Sequence, residues 1–140
     1  MTTGLYRTIE HTADTGFEVR GDSREQVYEH AAMAFFQIMW CLGSLRQNKV
    51  TSIEVKGVDQ EELLVNFLEE FLYLYDAKRL VCTKVEVDSV EDDRLQARAW
   101  LQEFDGAQDR ELLSVKAVTY HQLFIGREKD TWIARVFLDI

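Results

Sequence analysis

Proline is absent from the 140-residue chain. That excludes polyproline II spacers and proline-rich docking segments. Cysteine is scarce: Cys41 and Cys82 have neither CxxC spacing nor a histidine pair beside them. A zinc knuckle or a thioredoxin-type motif is therefore excluded, and both are expected to be reduced thiols in the core. Histidine occurs only as His11, His30 and His121. GxGxxG and GxxxxGK[ST] are missing, which removes the usual nucleotide-phosphate cradles. GxSxG and HExxH are missing as well. No apolar run approaches the roughly 20 residues of a membrane span. Met1 to Arg7 lacks the basic and apolar regions of a signal peptide, so a cytoplasmic location is expected.

Charge is plentiful but one-sided, with 25 acidic residues against 16 basic ones and a formal net charge of -9. Such a surface repels phosphate backbones and disfavours stable direct binding of RNA or DNA. Cations and basic proteins suit it better. The length fits one domain, residues 1–140, large enough to bury a core.

Periodicity then divides the chain. Tyr6 to Glu10 and Gly16 to Arg20 read as strands. Asp22 and Glu25 fit a D-x-x-E capping box, opening a helix that runs to about Cys41. Val27, Ala31, Ala34, Phe35, Ile38 and Leu42 share its apolar face. Val50 to Val58 reads as a strand. Asp59 and Glu62 repeat the capping pattern before a second helix to about Lys78, with Leu64, Phe67, Leu68, Phe71, Leu72 and Tyr75 on one stripe. From Leu80 the period changes to two. Strands are expected around Val81–Val87 and Leu95–Leu101. A polar loop spans Phe104 to Arg110. Leu113 to Ile125 reads as a bent strand or two paired ones, and Trp132 to Leu138 as the last. The order predicts an α+β domain: two main helices packed on mainly antiparallel sheet.

Three segments carry polar groups of interest. Glu10 to Asp14 is a short polar stretch between strands; taken alone, it favours an Asx turn over a ligand loop. Asp139 stands beside the terminal carboxylate of Ile140, and two such groups repel each other without a cation or N–H donors. Val115 to His121 is strand-like but contains Lys116, which needs an acidic partner or an exit to solvent.

Together these segments resemble the archease family. The residues that carry the resemblance are H-T-A-D at His11 to Asp14, Gly16-Phe17, and G-D-S at Gly21 to Ser23. A-A-M-A-F-F at Ala31 to Phe36 and the helix E-L-L-V-N-F-L-E-E-F-L-Y-L at Glu62 to Leu74 also fit. So do V-K-A-V-T-Y-H at Val115 to His121 and the D-I ending at Asp139-Ile140. Thr15, and Gln102-Glu103, depart from the family's usual residues. The resemblance implies a metal site made by Asp14, Asp139 and the C-terminal group of Ile140. All-oxygen ligands favour Ca²⁺, with Mg²⁺ or Mn²⁺ as alternatives. It also implies that the chain is not an enzyme but activates an RtcB-type RNA ligase, with His11, Lys116 and His121 forming a partner-activation patch. A chaperone-like modulator of a tRNA methyltransferase is the alternative. A stand-alone metal-dependent hydrolase built on Asp14, His11, His121 and Asp139 is a third reading, weakened by the missing phosphate loop.

Overall fold

Ser23 starts the first helix. Its hydroxyl accepts from the N–H of Gln26 at 3.1 Å, and Gln26 Oε1 accepts from the N–H of Asp22 at 2.6 Å. Both frames fit the capping pattern, but the chain turns one residue later than Asp22 and Glu25 predict. Gly21 fits because a Cβ there would lie 2.7 Å from the Val27 nitrogen. Asp22 therefore stays outside the helix, and the cap falls to Ser23. The resulting helix is α1 (Arg24–Met39). The second, α2 (Gln60–Lys78), starts as expected, with Asp59 Oδ1 accepting from the N–H of Glu62 at 2.8 Å. It stops at Arg79, whose φ of 54° is left-handed. The Arg79 guanidinium lies 4.2 Å from the Tyr75 ring centroid and 4.9 Å from that of Phe104. Those contacts help hold a non-glycine residue in a conformation that favours glycine.

The computed structural model describes residues 4–10, 14–46 and 48–140; the side chains of Glu10 and Asp14 also lie outside that description. The strands are β1 (Tyr6–Glu10), β2 (Asp14–Gly21), β3 (Trp40–Cys41), β4 (Lys49–Lys56), β5 (Leu80–Val90), β6 (Arg94–Glu103), β7 (Arg110–Glu111), β8 (Ala117–Glu128) and β9 (Thr131–Asp139). They form a four-stranded sheet in the order β1-β2-β9-β8 and a three-stranded sheet in the order β4-β6-β5, with β3 and β7 as a short ribbon. Every described pairing is antiparallel. The expected α+β architecture is therefore present, with its sheet divided in two.

Both helices touch both large sheets: α1 meets β2, β9 and β5, and α2 meets β8, β5 and β4. That is why α2 buries more than its predicted stripe. Leu63, Val65 and Leu74 are buried beside Leu64, Phe67, Leu68, Phe71, Leu72 and Tyr75. Helix carboxylates also serve the strands. Glu29 Oε2 accepts from the N–H of Val87 on β5, and Glu69 Oε1 from that of Val118 on β8, each at 2.9 Å. Both are edge strands, and an edge amide needs such a partner.

Three expectations are corrected. Helix α1 ends at Met39, not near Cys41, because Trp40 and Cys41 turn extended to pair with Glu111 and Arg110. Cys41 is consequently exposed, and only Cys82 is a buried thiol. A bulge between Cys82 and Lys84 turns Cys82 inward beside Val81. The Phe104–Arg110 loop is not simply polar surface. Asp109 is buried in it and accepts from the Arg46 guanidinium, and from the N–H groups of Gly43 and Asp105 at 2.9 Å each. These donors hold its carboxyl down, to about 2.

Candidate functional site

The first and last long strands of the chain meet at their ends. Asp14 opens β2 and pairs across the ladder with Asp139, the last residue of β9. On the other side of β9, Asp139 pairs with Ala117, the first residue of β8. Three segments that the sequence singled out separately thus converge on one sheet end. The N–H of Lys116 donates to the carbonyl of Asp139 at 2.7 Å. This bond ties the residue before β8 to the chain terminus. Lys116, Asp139 and Ile140 are all exposed there.

Alternation along β9 explains how that end is built. Ala134, Val136 and Leu138 point into the main core, whereas Phe137 is buried outside that cluster. Asp139 shares the Phe137 face by the two-residue period of a strand. Gly16 pairs with Phe137, and a Cβ at Gly16 would lie 2.8 Å from the Phe137 ring and 2.6 Å from the Val136 carbonyl. Only glycine lets β2 approach β9 this closely beside Asp14.

The far side of Phe137 is covered by an irregularity in β8. Thr119 pairs with Phe137, but the next pair is Phe124 with Arg135. Tyr120 to Leu123 therefore bulge out against the single residue Val136, with Gln122 at φ 48°. Bulges of this kind re-aim side chains. The His121 ring packs edge-on against Phe137 at 5.7 Å. The backbone N–H of His121 donates to Thr119 Oγ1 at 3.3 Å, and that hydroxyl donates to the Phe137 carbonyl at 3.1 Å. The bulge also ends the regular alternation of β8 after Thr119. Val118 is buried, while Tyr120 is exposed. The Tyr120 phenol is pushed above its usual range by partial burial and by the carboxylates of Glu62, Asp59 and Glu69.

Of the six residues expected at the site, the structure thus brings Asp139, Ile140 and Lys116 to one strand end, with the Asp14 backbone opposite. His121 belongs to the adjoining bulge. His11 lies outside the described residues, as does the Asp14 side chain. Among the described residues, no three His, Cys, Asp or Glu side chains gather in a way that could hold a metal ion. Glu69, which fixes the start of β8 against α2, carries no mark in the sequence. It sits off the apolar stripe of its helix, so nothing in the pattern set it apart from a solvated surface acid.

Residues 6–140 match the model of the Archease protein family (MTH1598/TM1083). The chain is 34% identical over 139 residues to protein archease of Methanosarcina barkeri, covering 96% of this chain and 95% of that one. It is 37% identical over 135 residues to protein archease of Pyrococcus furiosus, covering 94% and 95%. Its fold resembles the solution structure of Methanobacterium thermoautotrophicum protein 1598, with a TM-score of 0.79 and 31% identity over 96% of this chain and 98% of that one. It also resembles the crystal structure of an archease from Thermotoga maritima, described as a possible chaperone. There the TM-score is 0.64 and the identity 20%, with 96% of each chain covered.

Proposed function

The chain belongs to the archease family, and from that premise we propose that it is a non-enzymatic accessory protein that holds a divalent cation and activates an RtcB-type RNA ligase. The observation that carries this reading is the register placing Asp14 opposite Asp139, one residue from Ile140, with Lys116 bonded to the same strand end. Asp14, Asp139 and the terminal carboxyl group of Ile140 would hold the ion. That donor set is all oxygen, which favours Ca²⁺, with Mg²⁺ or Mn²⁺ next. A cation would offset the repulsion between the Asp139 carboxylate and the terminal carboxylate beside it. No helix among the described residues is long and apolar enough to cross a membrane.

Such a ligase joins RNA ends through a guanylylated histidine. The accessory protein's part would be to present an acidic, cation-holding strand end, with Lys116 beside it, so that the ligase reaches its guanylylated state repeatedly. His11 and His121 would complete the contact patch. The test is GTP-dependent guanylylation of the ligase, with wild type and with Asp139→Ala added in turn. Wild type should stimulate and the variant should not; equal stimulation by both sinks the metal-dependent reading. Calorimetric titration of Ca²⁺, Mg²⁺ and Mn²⁺ reads the ion site without the ligase, and Asp14→Ala should abolish the heat of binding.

A second reading, chaperone-like modulation of a tRNA methyltransferase or another RNA-modifying enzyme, draws on the relative described as a possible chaperone. It expects complexes with such an enzyme and no effect on ligase turnover.

A further inference from the structure

One edge of the three-stranded sheet is open. Gly57 donates its N–H to the Asp93 carbonyl at 3.1 Å, which makes that pair a hydrogen-bonded one. In an antiparallel ladder the pairs alternate. Lys56 and, two by two before it, Glu54, Ser52 and Val50 therefore turn their N–H and C=O groups away from β6. The Lys56 carbonyl confirms the phase, since it accepts from Asn66 Nδ2 of α2 at 2.9 Å. Among the described residues, no hydrogen bond reaches the outward N–H or C=O of Glu54, Ser52 or Val50. The outer edges of β5 and β8, by contrast, each give an amide to a helix carboxylate.

This edge runs beside α2, and the two frame a groove. At one end a hollow of about 840 Å³ is lined by Lys49, Thr51, Leu74 and Lys78. At the other, about 460 Å³ is lined by Glu54, Asn66, Glu70 and Tyr73. Asn66, Glu70, Tyr73, Leu74 and Lys78 fall at helical spacing on one side of α2. Tyr73 is 54% exposed and Val50 52%. Lys49 and Lys78 stand at the larger hollow, whereas at the smaller one Glu54, Glu69 and Glu70 outnumber Lys56, so the groove is more negative at its Glu54 end. Glu103 and Asp105 close the far wall of the larger hollow, which restricts its positive charge to the β4 side.

We propose that the open edge of β4 and the adjoining face of α2 form a docking groove for an extended peptide of another protein, added as an antiparallel strand. The peptide carries a basic residue toward its N-terminus, against Glu54 and Glu70. It carries an acidic residue toward its C-terminus, against Lys49 and Lys78. Main-chain bonds to Val50, Ser52 and Glu54 give affinity, and the charges at the two ends give direction. From Lys49 to Glu54 the strand covers roughly 17 Å at about 3.4 Å per residue, so the two charges stand about five or six residues apart. Lysines near both ends of β4 guard it against indiscriminate pairing, which favours a charged partner segment over a bare apolar one. This groove is independent of the β9 terminus, so the proposal stands or falls separately from the ligase reading.

The test is an amide NMR titration of the full chain with the blocked peptide Lys-Thr-Val-Thr-Val-Thr-Glu and with its charge-swapped counterpart. The expected result is that the Val50, Ser52 and Glu54 amides shift and gain exchange protection with the first peptide. The second should bind about tenfold more weakly, and Lys49→Glu combined with Lys78→Glu should reverse that order. Ser52→Pro should weaken binding without unfolding the chain, because proline is tolerated where the N–H of an edge strand faces solvent. N-methylation of the peptide amides that face β4 tests the same bonds without altering the protein. Unshifted β4 amides, equal binding of both peptides, or unchanged binding after N-methylation would each overturn the proposal. Shifts of the same amides with protein concentration alone, in the absence of peptide, would also overturn it by showing a second copy as the occupant.

Discussion

Replacing Asp109 with Asn keeps the side chain's size and removes its charge. The native carboxylate is buried and accepts from three donors: the Arg46 guanidinium, the Gly43 N–H and the Asp105 N–H. An amide presents an NH₂ where one of those donors already points. Breaking one side of a buried ion pair costs about 3–5 kcal/mol. The Arg46 side chain is 24% exposed, so it regains some solvation and the cost falls toward about 2–3 kcal/mol. A second route gives the same scale. The donors lower the Asp109 carboxyl from 3.8 to about 2, and at about 1.4 kcal/mol per pKa unit that shift stabilises the fold by about 2.5 kcal/mol.

The direction with pH follows from the lowered value. The contribution is fully present above the ordinary carboxylate range. It is lost as pH falls from about 4 to about 2, when the folded-state carboxyl takes up its proton. Urea unfolding at neutral pH should therefore show Asp109→Asn less stable by about 2–3 kcal/mol, a fall in Tm of roughly 6–12 °C for a domain of this length. The gap between wild type and variant should narrow across the acid window. Arg46→Met should cost at least as much, since it leaves the buried carboxylate with only its two backbone donors, and the double variant should fall short of additivity. A variant within about 0.5 kcal/mol of wild type, or a gap that ignores pH, would refute the account of Asp109 as the anchor of this loop.

Three further outcomes check other parts of the structure. At pH 8 an aromatic disulfide reagent should label exposed Cys41 quickly and Cys82 only on unfolding, because burial pushes the Cys82 thiol up to about 12; fast labelling of both would contradict the bulge that turns Cys82 inward. Glu69→Ala should cost about 1–2 kcal/mol by leaving the buried end of β8 with an unpaired amide, and hydrogen exchange at Val118 should accelerate. Gly16→Ala should destabilise by about 1–3 kcal/mol, since its Cβ meets a backbone carbonyl at 2.6 Å that cannot swing away; neutral unfolding data for this variant would argue against the close approach of β2 to β9.

The helices were legible because their determinants are local. The stripe from Leu64 to Tyr75 and the Asp59 cap lie within a few residues of one another, and both stand in the structure as read. The α1 cap was misplaced by one residue because Asp22-x-x-Glu25 and Ser23-x-x-Gln26 satisfy the same rule; packing of Gly21 against the first turn decides between them. The end of α1 was misplaced for a different reason. Trp40 and Cys41 continue a good helical pattern, and what pulls them out is a pairing with Arg110 and Glu111, far along the chain. The Asp109 anchor was hidden likewise, since its strongest partner, Arg46, lies 63 residues away in sequence.

The strand end at Asp139 shows the same limit more sharply. Asp14, Lys116 and Asp139 carry no mutual signal in sequence; separately, each fits a turn, a surface lysine and a chain end. They meet because three strands hold one register, and that register depends on residues with no ionisable group at the site. Gly16 lets β2 close on Phe137, the β8 bulge absorbs three surplus residues, and Glu69 fixes Val118 against α2. A slip of one residue in any of these strands would send its side chains to the opposite face. The geometry of the proposed ion site is therefore set by packing several residues away from it. Substitutions at Gly16 or Glu69 should impair cation binding without touching a ligand, whereas removal of the exposed Asp139 carboxylate should impair it with little change in stability.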